Sequence, residues 1–166
     1  DFASYIAKLG ESATMKIESV ENLVNALASR LDYFVLLGCK ASDHALMTCP
    51  HTFLSEDKVN EIFKNKLNGV EPTKEEADGY RTYLLSKLAK LYKDRNIAMQ
   101  LHFESIRDNN KKMYAILGPD TGFDATYDET ISLGVSEFFA SLSNNDSIPK
   151  TILYSLNPKD YYPLAT

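Results

Sequence analysis

The chain has 166 residues, of which 44% are hydrophobic and 25% charged, and its net charge is -5. This length fits a single domain with a hydrophobic core, and the acidic balance argues against a nucleic-acid-binding surface, which needs a basic stripe. No apolar run approaches the roughly 20 residues that cross a bilayer and the N-terminus has no signal-peptide pattern, so neither membrane association nor secretion is expected and a cytoplasmic location is predicted.

The first half of the chain is predicted to be largely helical. A weakly helical segment at 2–9 comes first, and three helices with apolar residues at helical spacing follow it. Their predicted N-caps are Ser19, Ser55 and Thr73, and Glu76 stands at the capping-box position of the third helix. We expect the first of these three helices to cover one face of a sheet.

The second half is predicted to contain two more helices. A short one follows Asn110 and runs to Ile116, and apolar residues between Ile131 and Leu142 mark an amphipathic one. The loop at 118–128 separates them and is rich in turn-forming residues. Because this loop has neither a dinucleotide-binding nor a P-loop pattern, those two kinds of phosphate site are excluded.

Three short strands are predicted between these helices, near 39–43, 97–103 and 150–156. Since helices separate the strands, they should be parallel and joined by right-handed crossovers, which makes the fold class α/β. Their short apolar runs suggest strands buried on both faces. A free sheet of three parallel strands would leave both edges unpaired and can lack cover on one face. We therefore expect residues 1–166 to be a single α/β segment of a larger protein, with a compact α/β sandwich shielded by the extra helices as the alternative.

Polar residues that could take part in catalysis or binding follow two of these strands. The second strand turns directly into a cluster that includes His102, Glu104 and Arg107. In α/β folds the loops that leave the carboxyl ends of strands carry the chemistry, so these residues are functional candidates. The alternative is a polar loop that caps the next helix. His44 is a further candidate, because a carboxylate such as the adjacent Asp43 can orient an imidazole as a base, although such a pair can also tie strands together.

Longer stretches of the sequence resemble one known family. The stretches are GCKASDHAL, MQLHFESIRDNNKKMYAILGPDTGFDATYDE and IPKTILYSLNPKDYYPLAT, and ALASRLDYF precedes them. They resemble the uronate (glucuronate) isomerase family of the amidohydrolase superfamily, in the family's order and at comparable spacing. The resemblance implies a segment of a metal-assisted (β/α)8 barrel, strands four to six, from an enzyme that interconverts aldose and ketose uronates such as D-glucuronate and D-fructuronate.

The resemblance also implies roles for individual residues. His102 matches the family's histidine on the fifth strand beside the metal centre, and Arg107 and Asn109 match the R-x-N-N stretch that follows it. We therefore predict His102 and Arg107 as catalytic residues, Arg107, Asn109 and His44 as substrate-binding residues, and His102 as a metal ligand. For Arg107 the alternative is a structural salt bridge to Asp108 or Asp124 in a polar loop.

The chain also departs from the family pattern. It has no His-x-His pair and no aspartate from the family's last strand, which are the main metal ligands of the family. It has Glu104 and Ser105 where the family usually has Gly and Ala, and Lys40 and Lys159 where the family has Arg. A divalent metal such as zinc is thus expected in the complete enzyme and not in this chain alone, and the isolated chain is expected to be inactive.

Two other functions stay open at this point. One is a non-catalytic α/β module that associates with copies of itself through exposed sheet edges. The other is a metal-dependent hydrolase of the same superfamily, since related barrels share the histidine on the fifth strand. Fold analogy alone does not separate hydrolysis from isomerisation of a hexuronate.

Overall fold

A computed structural model describes residues 1–166. The elements in chain order are α1 (Phe2–Ala13), α2 (Val20–Leu36), β1 (Ala41–Leu46), α3 (Glu56–Leu67), α4 (Lys74–Asp94), β2 (Ala98–Phe103), β3 (Ser105–Ile106), α5 (Lys111–Leu117), β4 (Ala125–Thr126), α6 (Ser132–Asn144), β5 (Thr151–Ser155), a 3-10 turn (Pro158–Asp160) and α7 (Tyr161–Ala165). None of the helices combines the length and the apolar character that a membrane crossing requires.

Three helices begin at the predicted capping residues. The side chains of Ser19, Ser55 and Thr73 each accept a hydrogen bond from the backbone N–H three residues further on. The Glu76 carboxylate accepts a bond from the backbone N–H of Thr73 in return, which completes the capping box. These bonds satisfy N–H groups that have no partner inside the helix, so the predicted starts of α2, α3 and α4 are confirmed.

The main sheet has the order β1-β2-β5, and both strand pairs are parallel. The prediction of three parallel strands with covering helices is confirmed. A second sheet was not predicted: β3 and β4 form a two-stranded antiparallel ribbon in which Ser105 pairs with Thr126 and Ile106 with Ala125. Strands of two residues are too short to show a periodic pattern, so the sequence carries no signal for this ribbon.

Strand β1 lies later in the chain than predicted. It runs from Ala41 to Leu46, so Asp43 and His44 lie inside the strand and not at its end. The reason is the end of α2, because the backbone N–H of Cys39 still donates to the carbonyl of Phe34 at 2.9 Å. This residue therefore completes the helix terminus, and pairing with β2 starts only beyond it.

The helices cover only one face of the sheet. The buried residues of β2 alternate along the strand and pack against α4 and α6, in a core that includes Leu85, Ala89, Met99, Leu101, Phe103, Phe138 and Leu142. A second core lies among α1, α2 and α3. Successive side chains of a strand point to opposite faces, so the residues between the buried ones face away from the helices. The expectation of strands buried on both faces was therefore wrong for this chain, whereas the uncovered face agrees with the expectation for a free three-stranded sheet.

Candidate functional site

The uncovered side of the main sheet carries a group of polar and aromatic side chains, which we call the open face. It consists of Asp43, Ala45, Gln100, His102, Ile152 and Tyr154, all of them exposed or half-buried. The strand register places Gln100 between Asp43 and Ile152, and His102 between Ala45 and Tyr154. All three strands therefore contribute side chains to one continuous surface.

His102 lies at the centre of the open face. Its Nε2 atom is 3.5 Å from Oδ1 of Asp43, and its ring meets the ring of Tyr154 edge to face, with 4.3 Å between the centroids. The hydroxyl of Tyr154 donates a hydrogen bond of 2.8 Å to the side-chain oxygen of Gln100. A carboxylate and an aromatic ring on two sides restrict the orientation of the imidazole, as a proton-transferring histidine requires.

His44 does not join this group. Its side chain lies on the helix-covered face, where Nε2 is 3.0 Å from the hydroxyl of Tyr92 on α4. Burial lowers the pKa of His44, and the charge of Asp43 opposes that shift only in part. His44 and His102 therefore point to opposite sides of the sheet, and the structure does not bring them to one ligand.

The buried position of His44 predicts a pH-dependent stability. Because the pKa of His44 is lowered from 6.5, its stabilising contribution is fully present above that value and is lost as the pH falls through the folded-state pKa. The urea midpoint of the wild-type chain should fall between about pH 7.5 and about pH 5.5, and His44→Gln should show a smaller fall. Tyr92→Phe keeps the burial but removes the hydroxyl, so it should retain most of the fall. Equal pH dependence in His44→Gln and the wild type would contradict this assignment.

Arg107 lies beyond β3 and holds the following loop. Its guanidinium donates to Asp120, and to Oδ2 of Asp124 at 2.8 Å. The backbone N–H of Asp108 also donates to Asp124 at 2.9 Å, and this bond, followed by Ser105 and Arg107, lowers the pKa of Asp124. The salt bridge to Asp124 that was predicted as the alternative for Arg107 is thus present. About half of the Arg107 side chain stays exposed, so the guanidinium is accessible to a ligand as well.

Asn109 belongs to the same loop. Its backbone N–H donates a hydrogen bond of 2.8 Å to the carbonyl of Phe123, which extends the pairing of the β3–β4 ribbon. The residue is exposed. Its backbone thus helps to fix the loop, while its side chain is accessible from solvent.

Glu104 directly follows β2 and lies inside the protein. The residue is 0% exposed, and its carboxylate accepts a hydrogen bond of 2.7 Å from the Ser155 hydroxyl. Burial and the neighbouring Asp160 raise the pKa of Glu104, whereas Ser155 and Lys159 act in the opposite direction. Glu104 is therefore beside the open face but is not one of its exposed side chains.

The residues of this chain do not form a metal centre by themselves. No group of three or more His, Cys, Asp and Glu side chains is placed so that it could hold a metal ion. His102 and Asp43 are two neighbouring donors on the open face, whereas a catalytic zinc takes three protein ligands. A metal at this place would need further ligands from outside the chain.

Comparison with known proteins identifies the family. The family model described as glucuronate isomerase matches residues 1–166, which is the whole chain. The chain belongs to the glucuronate isomerase family. The resemblance seen in the sequence motifs is thereby confirmed.

Individual members of the glucuronate isomerase family are longer than this chain. The uronate isomerase of Caldicellulosiruptor saccharolyticus is 47% identical over 165 residues, which are 99% of this chain and 36% of that protein. The uronate isomerase of Brachyspira hyodysenteriae is 41% identical over 166 residues, again 36% of its length. The chain thus spans about a third of the curated relatives that it matches.

Two solved structures share the fold of this family member. The uronate isomerase from Thermotoga maritima matches with a TM-score of 0.87 and 27% identity, over 95% of this chain and 35% of that one. The glucuronate isomerase from Caulobacter crescentus matches with a TM-score of 0.83 and 24% identity, over 94% and 32%. The prediction that this α/β segment resembles part of a (β/α)8 barrel is confirmed, while the larger barrel domain and the assignment to strands four to six stay predictions.

The sequence interpretation missed three residues of the open face. Asp43 was considered only as the partner of His44, and Gln100 and Tyr154 were not considered. In β2, Gln100 and His102 stand on either side of Leu101, and polar residues at every second position are the usual sign of an uncovered face. In β1 and β5 the open-face neighbours of Asp43 and Tyr154 are the apolar Ala45 and Ile152, so those two strands carry no such signal.

Proposed function

We propose that the full-length protein containing this chain is an aldose–ketose isomerase of hexuronates, of the D-glucuronate to D-fructuronate type, and that this chain forms one wall of its active site. The observation that carries the proposal is the family match over the whole chain. The open face supports it, because it presents His102 beside Asp43 on a surface that no helix of this chain covers.

Isomerisation moves a proton between two adjacent carbons of the sugar. It needs a group that takes and returns the proton, and a cation that holds the carboxylate of the uronate. In our proposal His102 transfers the proton while Asp43 orients its ring, and Arg107 binds the carboxylate through the exposed part of its guanidinium. Asn109 is a further proposed substrate contact, since its exposed side chain lies on the same loop.

The predicted metal is part of this proposal, but the predicted substrate contact of His44 is not. A divalent metal such as zinc is proposed for the complete enzyme, with most of its ligands outside this chain; His102 as a metal ligand is the alternative to its proton-transfer role, because a ring nitrogen bound to a metal cannot take up a proton. His44 is left out of the proposed substrate contacts, because its ring is engaged with Tyr92 on the opposite face of the sheet.

The test is an isomerase assay on two polypeptides. The full-length protein should convert D-glucuronate into D-fructuronate. NMR of the sugar carbons measures this conversion. The isolated 166-residue chain should give no turnover, because it spans only about a third of the length of the matched relatives. A full-length protein that hydrolyses amides or esters and leaves hexuronates unchanged would favour the hydrolase alternative. Turnover by the isolated chain would contradict the proposal that it is only one wall of the site.

The proposed role of Arg107 predicts a change in substrate affinity. In the full-length protein, Arg107→Ala should raise KM for the hexuronate by about 10- to 100-fold, since hydrogen bonds to charged groups contribute about 1.5–3 kcal/mol. Asp120→Asn is the matched control, because it weakens the same exposed ion pair but leaves the guanidinium in place. An equal increase of KM in both variants would show that Arg107 acts by holding the loop.

Self-association is a second candidate property of the isolated chain. Strands β1 and β5 each have a hydrogen-bonded neighbour on one side only, so both edges of the main sheet are unpaired. Unpaired edges promote pairing with other chains. Size-exclusion chromatography of the isolated chain should therefore show dimers or larger species, and a stable monomer at high concentration would argue against this property.

A further inference from the structure

Glu104 occupies an unfavourable position in two respects. Its backbone has φ +69°, in the left-handed region that residues other than glycine rarely adopt. Its side chain is 0% exposed, although glutamate is almost never fully buried without a partner. Such a residue persists only where surrounding contacts hold it, so its contacts indicate what it does.

The backbone of Glu104 joins three segments at the carboxyl edge of the sheet. Its N–H lies 3.0 Å from the carbonyl of Leu46 and 3.2 Å from that of Met47, at the end of β1. Its carbonyl accepts a hydrogen bond of 2.9 Å from the N–H of Tyr127, in the loop after β4. The left-handed turn at Glu104 therefore links the ends of β1 and β2 to the loop that Arg107 holds.

The side chain of Glu104 reaches the third strand of the sheet. Oε2 accepts the hydrogen bond from Ser155, which is the last residue of β5 and which itself accepts a bond of 3.0 Å from the N–H of Asn157. Oε1 has no hydrogen-bond partner, and the Lys159 ammonium lies 3.8 Å from it. The buried Asp160 lies beside the same serine, 3.1 Å from its hydroxyl. Ser155 is thus the only hydrogen-bonded link between the Glu104 carboxylate and β5.

This link lies where the backbone pairing of β2 and β5 is weak. The last backbone hydrogen bond between the two strands, from Leu156 to the carbonyl of Phe103, is 3.5 Å long. The last register pair of the two strands is Phe103 with Ser155, and the pair before it is His102 with Tyr154, whose rings are in edge-to-face contact. A shift of β5 along β2 would therefore change that ring contact as well.

We propose that Glu104 is a positioning residue: through Ser155 it fixes the carboxyl ends of β2 and β5 relative to each other, and so sets the orientation of His102 against Tyr154. This inference rests on the proposed isomerase function for its kinetic consequences. The placement of the two rings is a structural consequence that does not depend on it. Glu104 itself touches no substrate, because its side chain is enclosed.

The test uses three variants of the full-length protein. Glu104→Gly removes the carboxylate and relieves the left-handed backbone, so it should not unfold the protein, yet it should lower kcat by about tenfold with KM within about twofold. Ser155→Ala should lower kcat by the same factor, and the double variant should lose no more than either single one, because both remove one link. Glu104→Gln keeps an acceptor for the Ser155 hydroxyl and should therefore retain most of the wild-type kcat. Ser86→Ala, which removes a part-buried hydroxyl from α4, is the matched control and should leave kcat unchanged.

A second measurement separates this inference from the proposed function. The ring protons of His102, assigned in the full-length protein with selectively labelled histidine, are shifted by the ring of Tyr154. These shifts should change in Glu104→Gly and Ser155→Ala and return in Glu104→Gln, whether or not the protein isomerises hexuronates. Unchanged His102 shifts in the first two variants would overturn the positioning role, and so would additive losses of kcat in the double variant. An unmutated protein without isomerase activity but with the expected shifts would overturn only the proposed function.

Discussion

Replacing His102 with asparagine should lower kcat of the full-length protein on a hexuronate by at least about 100-fold, because a positioned acid–base group contributes about 10²- to 10⁴-fold. Asparagine keeps a polar side chain on the open face but cannot take up and return a proton. Its amide does not reach the position of Nε2, so the contact with Asp43 is lost, but both side chains are largely exposed and folding should change little. Steady-state kinetics with D-glucuronate, together with a thermal unfolding curve, measures both effects.

His51→Asn is the matched control for this prediction. His51 lies in the loop after β1, where Nδ1 is 3.0 Å from the carbonyl of Cys49, and it is not part of the open face. The same substitution there should leave kcat within about threefold of the wild type. Unchanged turnover in His102→Asn would rule out the proposed proton transfer by this residue.

Replacing Phe103 with alanine should cost about 3–5 kcal/mol in the free energy of unfolding, the range measured when a large aromatic side chain is removed from a core. Phe103 is 1% exposed and packs in the core between β2 and the helices α4 and α6. The loss is the sum of the free energy gained by removing the ring from water and the cost of the cavity that the ring leaves behind. Urea unfolding of the 166-residue chain measures this loss, as the difference in unfolding free energy between Phe103→Ala and the wild type when both have the same dependence on urea concentration.

Phe53→Ala provides the comparison for Phe103→Ala. Phe53 is 52% exposed in the loop before α3, so the same substitution removes little buried surface there. It should cost less than about 1 kcal/mol. Similar losses at both positions would mean that the core between β2 and its helices does not stabilise the isolated chain.

Local signals in the sequence were sufficient for the elements and for part of the site. Ser19, Ser55 and Thr73 marked helix starts because a capping bond needs only residues that are neighbours in the chain. His102 was selected because it follows an apolar run, and its place on the open face agrees with that choice. The motifs around it also pointed to the family that the whole-chain comparison then confirmed.

Long-range contacts were beyond these local signals. The sequence did not show which face of β1 the helices cover, so His44 was chosen as the candidate and Asp43 only as its partner, whereas the structure places Asp43 on the open face and His44 against α4. The same limit applies to Glu104. Its departure from the family pattern was visible, but its contact with Ser155 joins residues that are 51 positions apart.

The sequence predicted a polar cluster of His102, Glu104 and Arg107 after an apolar strand. Of these three residues, the structure places only His102 on the open face. The sequence by itself determined the α/β class, the starts of three helices and the family, because caps, periodicity and motifs are properties of neighbouring residues. Only the tertiary structure decided that Asp43 and Tyr154 flank His102, that His44 turns to α4, and that Glu104 is enclosed beside Ser155. Those relations depend on strand register and on helix cover, which are fixed when distant segments pack together.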